Sequence, residues 1–155
     1  VVIFIPGVLK NVMFSHLVST SNHKQMVNRL LLIHFVTTII PVVGVLALSG
    51  VITSFYGDNF GGLRPVLLVQ VCSAVFICLA EVYCYEFISV GKPWFVFGAR
   101  MVRDLGIVLV SYFVVINVAS QQALSMAFVA IAMNGVFLLL LIMVYNIQID
   151  QVHNG

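Results

Sequence analysis

Apolar residues run along this chain in long blocks, and the charges fall between the blocks. Arg29 and Asp58 bracket 28 residues without a formal charge, with an apolar centre from Leu30 to Thr53. A helix rises about 1.5 Å per residue, so about 20 apolar residues cross a hydrocarbon core. Arg64 and Lys92 bracket a second block, 65–90, which contains two acids, Glu81 and Glu86. Between Asp104 and Asp150 lie 45 uncharged residues, too many for one helix, and Ser120-Gln121-Gln122 is the polar break inside them. The pattern predicts four spanning helices at about 30–53, 65–90, 105–119 and 123–149. The third is short. Lys92 to Gly98 reads as an interfacial stretch, because Trp and Phe suit the headgroup boundary and Pro93 cannot continue a helix from behind. The third helix then starts as early as Phe97, with Arg100 and Arg103 snorkelling outward. Trp94, Arg100 and Arg103 are the expected interfacial anchors.

Composition supports lipid as the solvent. Of 155 residues, 62% are hydrophobic and 8% charged, against about 45–50% and about 25% in soluble domains. So few charges cannot cover the surface of a soluble fold. Seven Lys+Arg and a net charge of +2 give no dense basic patch, which argues against nucleic acid as a partner. With four spans, six of the seven basic residues fall on one side: Lys10, Lys24, Arg29, Lys92, Arg100 and Arg103. Arg64 is alone on the other. The asymmetry places both termini on the positive side, cytosol or matrix. The expected fold is therefore an all-α integral membrane protein of four transmembrane helices in two hairpins. The mitochondrial inner membrane and the endoplasmic reticulum or vacuolar membrane are the expected locations. The expected domain boundary is an arm over 1–29 followed by the transmembrane domain over 30–155. Asn11 to Asn28 reads as an interfacial amphipathic helix and a turn, or as an arm packed on partner chains.

A weak internal repeat is visible. Met26-Val27-Asn28-Arg29-Leu30 opens the first span and Met101-Val102-Arg103-Asp104-Leu105 the third. Val75-Phe76 and Val82-Tyr83 in the second span are matched by Val136-Phe137 and Val144-Tyr145 in the fourth. Two hairpins of equal topology would give a parallel pseudo-repeat.

Glu81 is the sharpest chemical feature. A carboxylate two to three turns inside a span is costly unless paired, protonated or wet. It reads either as a proton or cation site or as a satisfied carboxyl that fixes helix contacts. His34, at similar depth in the first span, is its expected partner. A haem role for His34 would need further ligands, and no second histidine lies in a span. Cys72, Cys78 and Cys84 lie six apart without a CxxC, so no metal or redox site is expected from them. Small residues mark expected packing faces: Gly44, Ala47 and Gly50 in the first span, and Ala123, Ala127 and Ala130 in the fourth. Asn117 and Asn134 are expected to donate hydrogen bonds between helices. Pro41 is expected to kink the first span, with Thr37 or Thr38 satisfying the freed carbonyl. No catalytic constellation and no Asn-x-Ser/Thr sequon is found.

The first hairpin resembles the two-helix integral-membrane assembly factor of V-type proton ATPases. Pro41, Gly50 nine residues later, and Tyr83-Cys84-Tyr85 at the end of the second span fall in that family's order and spacing. Phe55 stands where the family's loop is often aromatic. The resemblance covers roughly Val27 to Ile88. It implies a tandem or extended version that binds the membrane ring of a proton pump and catalyses nothing, with Pro41, Gly50, Tyr83 and Tyr85 as helix-packing positions.

The expected function is a non-catalytic accessory or assembly subunit of a multi-subunit energy-converting membrane complex, a respiratory chain or a rotary proton ATPase. Its expected partners are other transmembrane subunits and membrane lipids, with bound lipid in place of any cofactor. The alternatives are a transporter or proton-channel component using Glu81 and His34, or a quinone- or haem-anchoring subunit through His34 and Tyr85.

Overall fold

The computed structural model describes residues 23–55, 62–117 and 122–153. They form four helices: α1 (His23–Ser54), α2 (Leu63–Ser89), α3 (Pro93–Asn117) and α4 (Gln122–His153). Most of the expected arm, and the polar break at Ser120-Gln121, lie outside the described residues. Among the described residues, three helices are long and apolar enough to cross a membrane: Gln25–Ser54, Leu63–Ser89 and Gln122–Ile147. They are apolar on every side, as lipid-solvated helices are. α3 is set apart by Arg100, Arg103 and Asp104 in its first half.

Two boundaries differ from expectation. α1 starts at His23, seven residues before Leu30, so His23 to Arg29 continue the helix and do not form a separate turn. α3 starts at Pro93, so Trp94 to Gly98 are helical and not an irregular interfacial stretch. Proline is tolerated at the first helical position, because its missing N–H would find no partner there. The turn before it is a Schellman motif. Lys92 N donates to Phe87 O at 2.8 Å and Gly91 N to Ile88 O at 3.1 Å. Gly91 takes a φ of 80°, the left-handed conformation that motif requires.

α2 is the central element. It packs most extensively against α4, then against α1, while α3 leans mainly on α4 and only lightly on α2. α2 and α4 run parallel. Asn134 Nδ2 donates to Ser73 Oγ at 2.9 Å, and ten residues further along α2 the Tyr83 ring meets the edge of Tyr145, centroids 5.3 Å apart. Both contacts advance together along the two helices. Tyr83 and Tyr145 are also matched positions of the repeat, and they meet across the two helices. The other half of the repeat has no such counterpart. Val27 and Leu30 of α1 are buried, whereas their matches Val102 and Leu105 of α3 are exposed.

The buried core gathers at one end. Val27 and Leu30 of α1, Ala80 to Phe87 of α2, Val96 of α3 and Phe137 to Tyr145 of α4 supply one cluster. Phe87 packs on Phe95 across the turn, centroids 4.9 Å apart. Toward the other end the buried residues are smaller, among them Ser49, Ser73, Ala74, Ser111 and Ala127. There Gly106 of α3 admits the Met133 methyl of α4 to a place that a Cβ would fill.

Candidate functional site: a carboxylate, guanidinium and phenol cluster

Glu81 lies eight residues before the end of α2, and Arg100 seven residues after the start of α3. At the helical rise both sit about 10–12 Å from the shared turn. The register brings them together. Arg100 Nη2 donates to Glu81 Oε1 at 2.7 Å and to Oε2 at 2.6 Å. Tyr85 Oη, one turn along α2, donates to Oε2 at 3.0 Å. The Cys84 thiol lies against the same guanidinium, whose Nε is buried with no hydrogen-bond acceptor among the described residues. Charge-assisted bonds of this length are the strong class. The side chains remain 27% and 34% exposed at Glu81 and Arg100, so the pair sits at a flank of the bundle and not at its axis.

This corrects the expected partnership. Glu81 makes no hydrogen bond to His34. His34 is fully buried, and its Nδ1 donates to the Leu30 carbonyl at 3.2 Å within α1. Glu81 acts on His34 only weakly and through space. Arg100 and Arg103 are also not the outward-reaching anchors expected of them. Arg100 turns to α2. Arg103 is held by Asp104 Oδ1 at 2.8 Å and lies over the Phe137 ring of α4, 4.8 Å from its centroid. Trp94 is different: it is 82% exposed and touches Phe97 edge-on, as an interfacial ring can.

The small-residue positions divide. In α4, Ala127 is buried and Ala130 half-buried, while Ala123 is exposed. In α1, Gly44 and Pro41 are half-buried, and Ala47 and Gly50 are exposed. Among the described residues nothing lies within 4 Å of where a Cβ on Gly44 or Gly50 would stand. Asn134 joins helices as expected, but Asn117 donates to the Phe113 carbonyl of its own helix at 2.7 Å. Thr37 donates to Ile33 and His34 carbonyls one turn back, not to a carbonyl freed by Pro41. Among the described residues no group of three or more His, Cys, Asp or Glu is placed to hold a metal ion.

Glu86, which its place near the end of the second span suggests is interfacial, is buried instead, and so is the Tyr145 hydroxyl of α4. Glu86 is only 4% exposed, and Ser89 Oγ donates to its carbonyl at 2.8 Å. Tyr145 Oη is buried in α4 with no hydrogen-bond partner among the described residues. The spacing of Glu86 from Ser89, one turn apart at the end of an apolar helix, was a readable signal of the first. The sequence marked the second only as the repeat match of Tyr83.

On the opposite side of α2 lies an open apolar groove of about 430 Å³. Leu31 and Phe35 of α1, Leu79 and Tyr83 of α2, and Leu138 and Ile142 of α4 line it. Comparison with protein-family models, with curated proteins and with solved structures gave no match.

Proposed function

We propose that this chain is a four-span accessory or assembly subunit of a multi-subunit energy-converting membrane complex, acting through helix contacts and not through chemistry of its own. On this reading α3 is the fourth span, α1–α2 and α3–α4 are hairpins, and both termini lie on the Lys/Arg-rich side. One observation carries it. Among the described residues α3 buries only Val96 and Ser111, while Val102, Leu105, Val108, Leu109, Phe113 and Ile116 stand exposed. A helix with so little of its own chain against it leaves a face that other transmembrane helices can cover in place of lipid. The open Gly44, Ala47 and Gly50 face of α1 adds a second such surface of small residues. The resemblance of residues 27–88 to the V-type ATPase assembly factor favours a rotary proton pump as host, with a respiratory complex as the alternative. The endoplasmic reticulum or vacuolar membrane goes with the first host and the mitochondrial inner membrane with the second.

The competing reading is a proton route through Glu81 and His34. The electrostatic proximity of the two favours it; the commitment of the carboxylate to Arg100 and Tyr85 opposes it. Extraction in mild detergent followed by native-gel migration tests the subunit reading. Co-migration with a large ATPase or oxidoreductase is expected and would name the host. A lone species of 17.1 kDa plus micelle contradicts it. If Glu81→Gln stopped proton flux in a fully assembled host, the proton route would replace the accessory role.

A further inference from the structure

α3 differs from the other helices in where its charges go. Each of its cations has a built-in counterpart on a helix that packs against it or on its own next residue. Arg100 is taken by Glu81 of α2 through two bonds at 2.6 and 2.7 Å, with Tyr85 completing the carboxylate's shell. Arg103 is taken by Asp104 and by the face of Phe137 on α4. A guanidinium about two turns inside a span is strongly disfavoured when it has no partner. The ion pair also bridges the two helices where their backbones make little other contact. The Schellman turn over Phe87 to Lys92 sets α2 and α3 back to back in the register the pair needs.

We propose that α3 is a conditional span: it crosses the bilayer only because Glu81 of α2 neutralises Arg100, which makes Glu81 a determinant of topology. α2 is apolar enough to insert despite its acids. It carries the carboxylate to the level at which Arg100 arrives, so the two helices insert as one unit. Without the carboxylate, Arg100 holds the first half of α3 at the interface. The end of α3 then stays on the face where it began. The idea rests on the four-span reading and not on the accessory role.

The test uses the full chain in sealed vesicles of known orientation, with Cys72→Ser to remove the exposed thiol and a membrane-impermeant maleimide as probe. Lys92→Cys reports the turn between α2 and α3, and Asn117→Cys reports the far end of α3. With Glu81 in place the two are labelled from opposite faces; labelling of both from one face would overturn the four-span reading itself. In Glu81→Gln, labelling of position 117 from the far face is expected to fall about tenfold and to move to the Lys92 face. Adding Arg100→Gln to that variant is expected to restore the original pattern, since the unpaired cation is then gone. Unchanged labelling in Glu81→Gln overturns the proposal. So does a shift that Arg100→Gln fails to reverse, because Glu81 would then be needed for something other than the cation.

Discussion

At one level of α2, two flanks of the bundle solve opposite problems. Leu79 and Tyr83 face the groove shared with α1 and α4. Glu81 lies between them in sequence, about 200° round the helix, and faces Arg100 of α3. The charged flank is closed by an ion pair and a phenol. The apolar flank is left open, with Leu32 at its edge 65% exposed. The difference follows from the solvent. In hydrocarbon an apolar groove costs little, because lipid chains cover it as well as leucine does. An unpaired charge costs much, so it must find its partner inside the protein. Closure is therefore specified where charge demands it and omitted where lipid suffices.

Three substitutions sharpen this contrast. Phe87→Ala has the largest expected effect. Its ring is fully buried and packs on Phe95 beside the turn that sets the α2–α3 register. Loss of about 3 kcal/mol is expected, read as a lower midpoint of thermal unfolding in detergent. Asn134→Ala comes next. It leaves Ser73 Oγ without its donor between the parallel helices α2 and α4, at an expected cost of about 0.6 kcal/mol and at most about 1.7. Leu32→Ala is expected to do least. The side chain is exposed at the groove's edge, so the midpoint should shift by less than the equivalent of about 0.5 kcal/mol. A Leu32→Ala loss as large as that of Phe87→Ala would show that the open flank is as tightly specified as the closed one.

Much of the fold was legible because charge is scarce. Lys92 lies between α2 and α3 and Arg64 stands at the start of α2, as the sequence suggests, while Arg29 falls inside α1. What escaped was local. Pro93 reads as a stop when it follows a helix and as a start when it opens one, and only the Schellman turn before it decides which. His23 to Arg29 are polar apart from Met26 and Val27, and a mostly polar stretch does not reveal that it continues a helix whose long apolar part begins later. The candidate site was half legible. Depth along a span can be counted, and the count put Glu81 level with His34, whereas Arg100 was expected to reach outward and instead lies at the level of Glu81. Which of two residues at equal depth becomes the partner depends on rotation about the helix axis, and an apolar helix with no marked face leaves rotation unspecified. The repeat failed for the same reason between α1 and α3: equal letters in a restricted alphabet did not share a buried face.

The central claim is that the Glu81 carboxylate and the Arg100 guanidinium are needed chiefly for each other. A double-mutant cycle reads that directly: Glu81→Arg, Arg100→Glu, and the two combined, each followed by thermal unfolding in the same detergent. Each single reversal should lower the midpoint by setting like charges together. The combined reversal should recover most of the loss, a coupling of about 1–3 kcal/mol. Losses that add in the combined variant, with no recovery, would contradict the account.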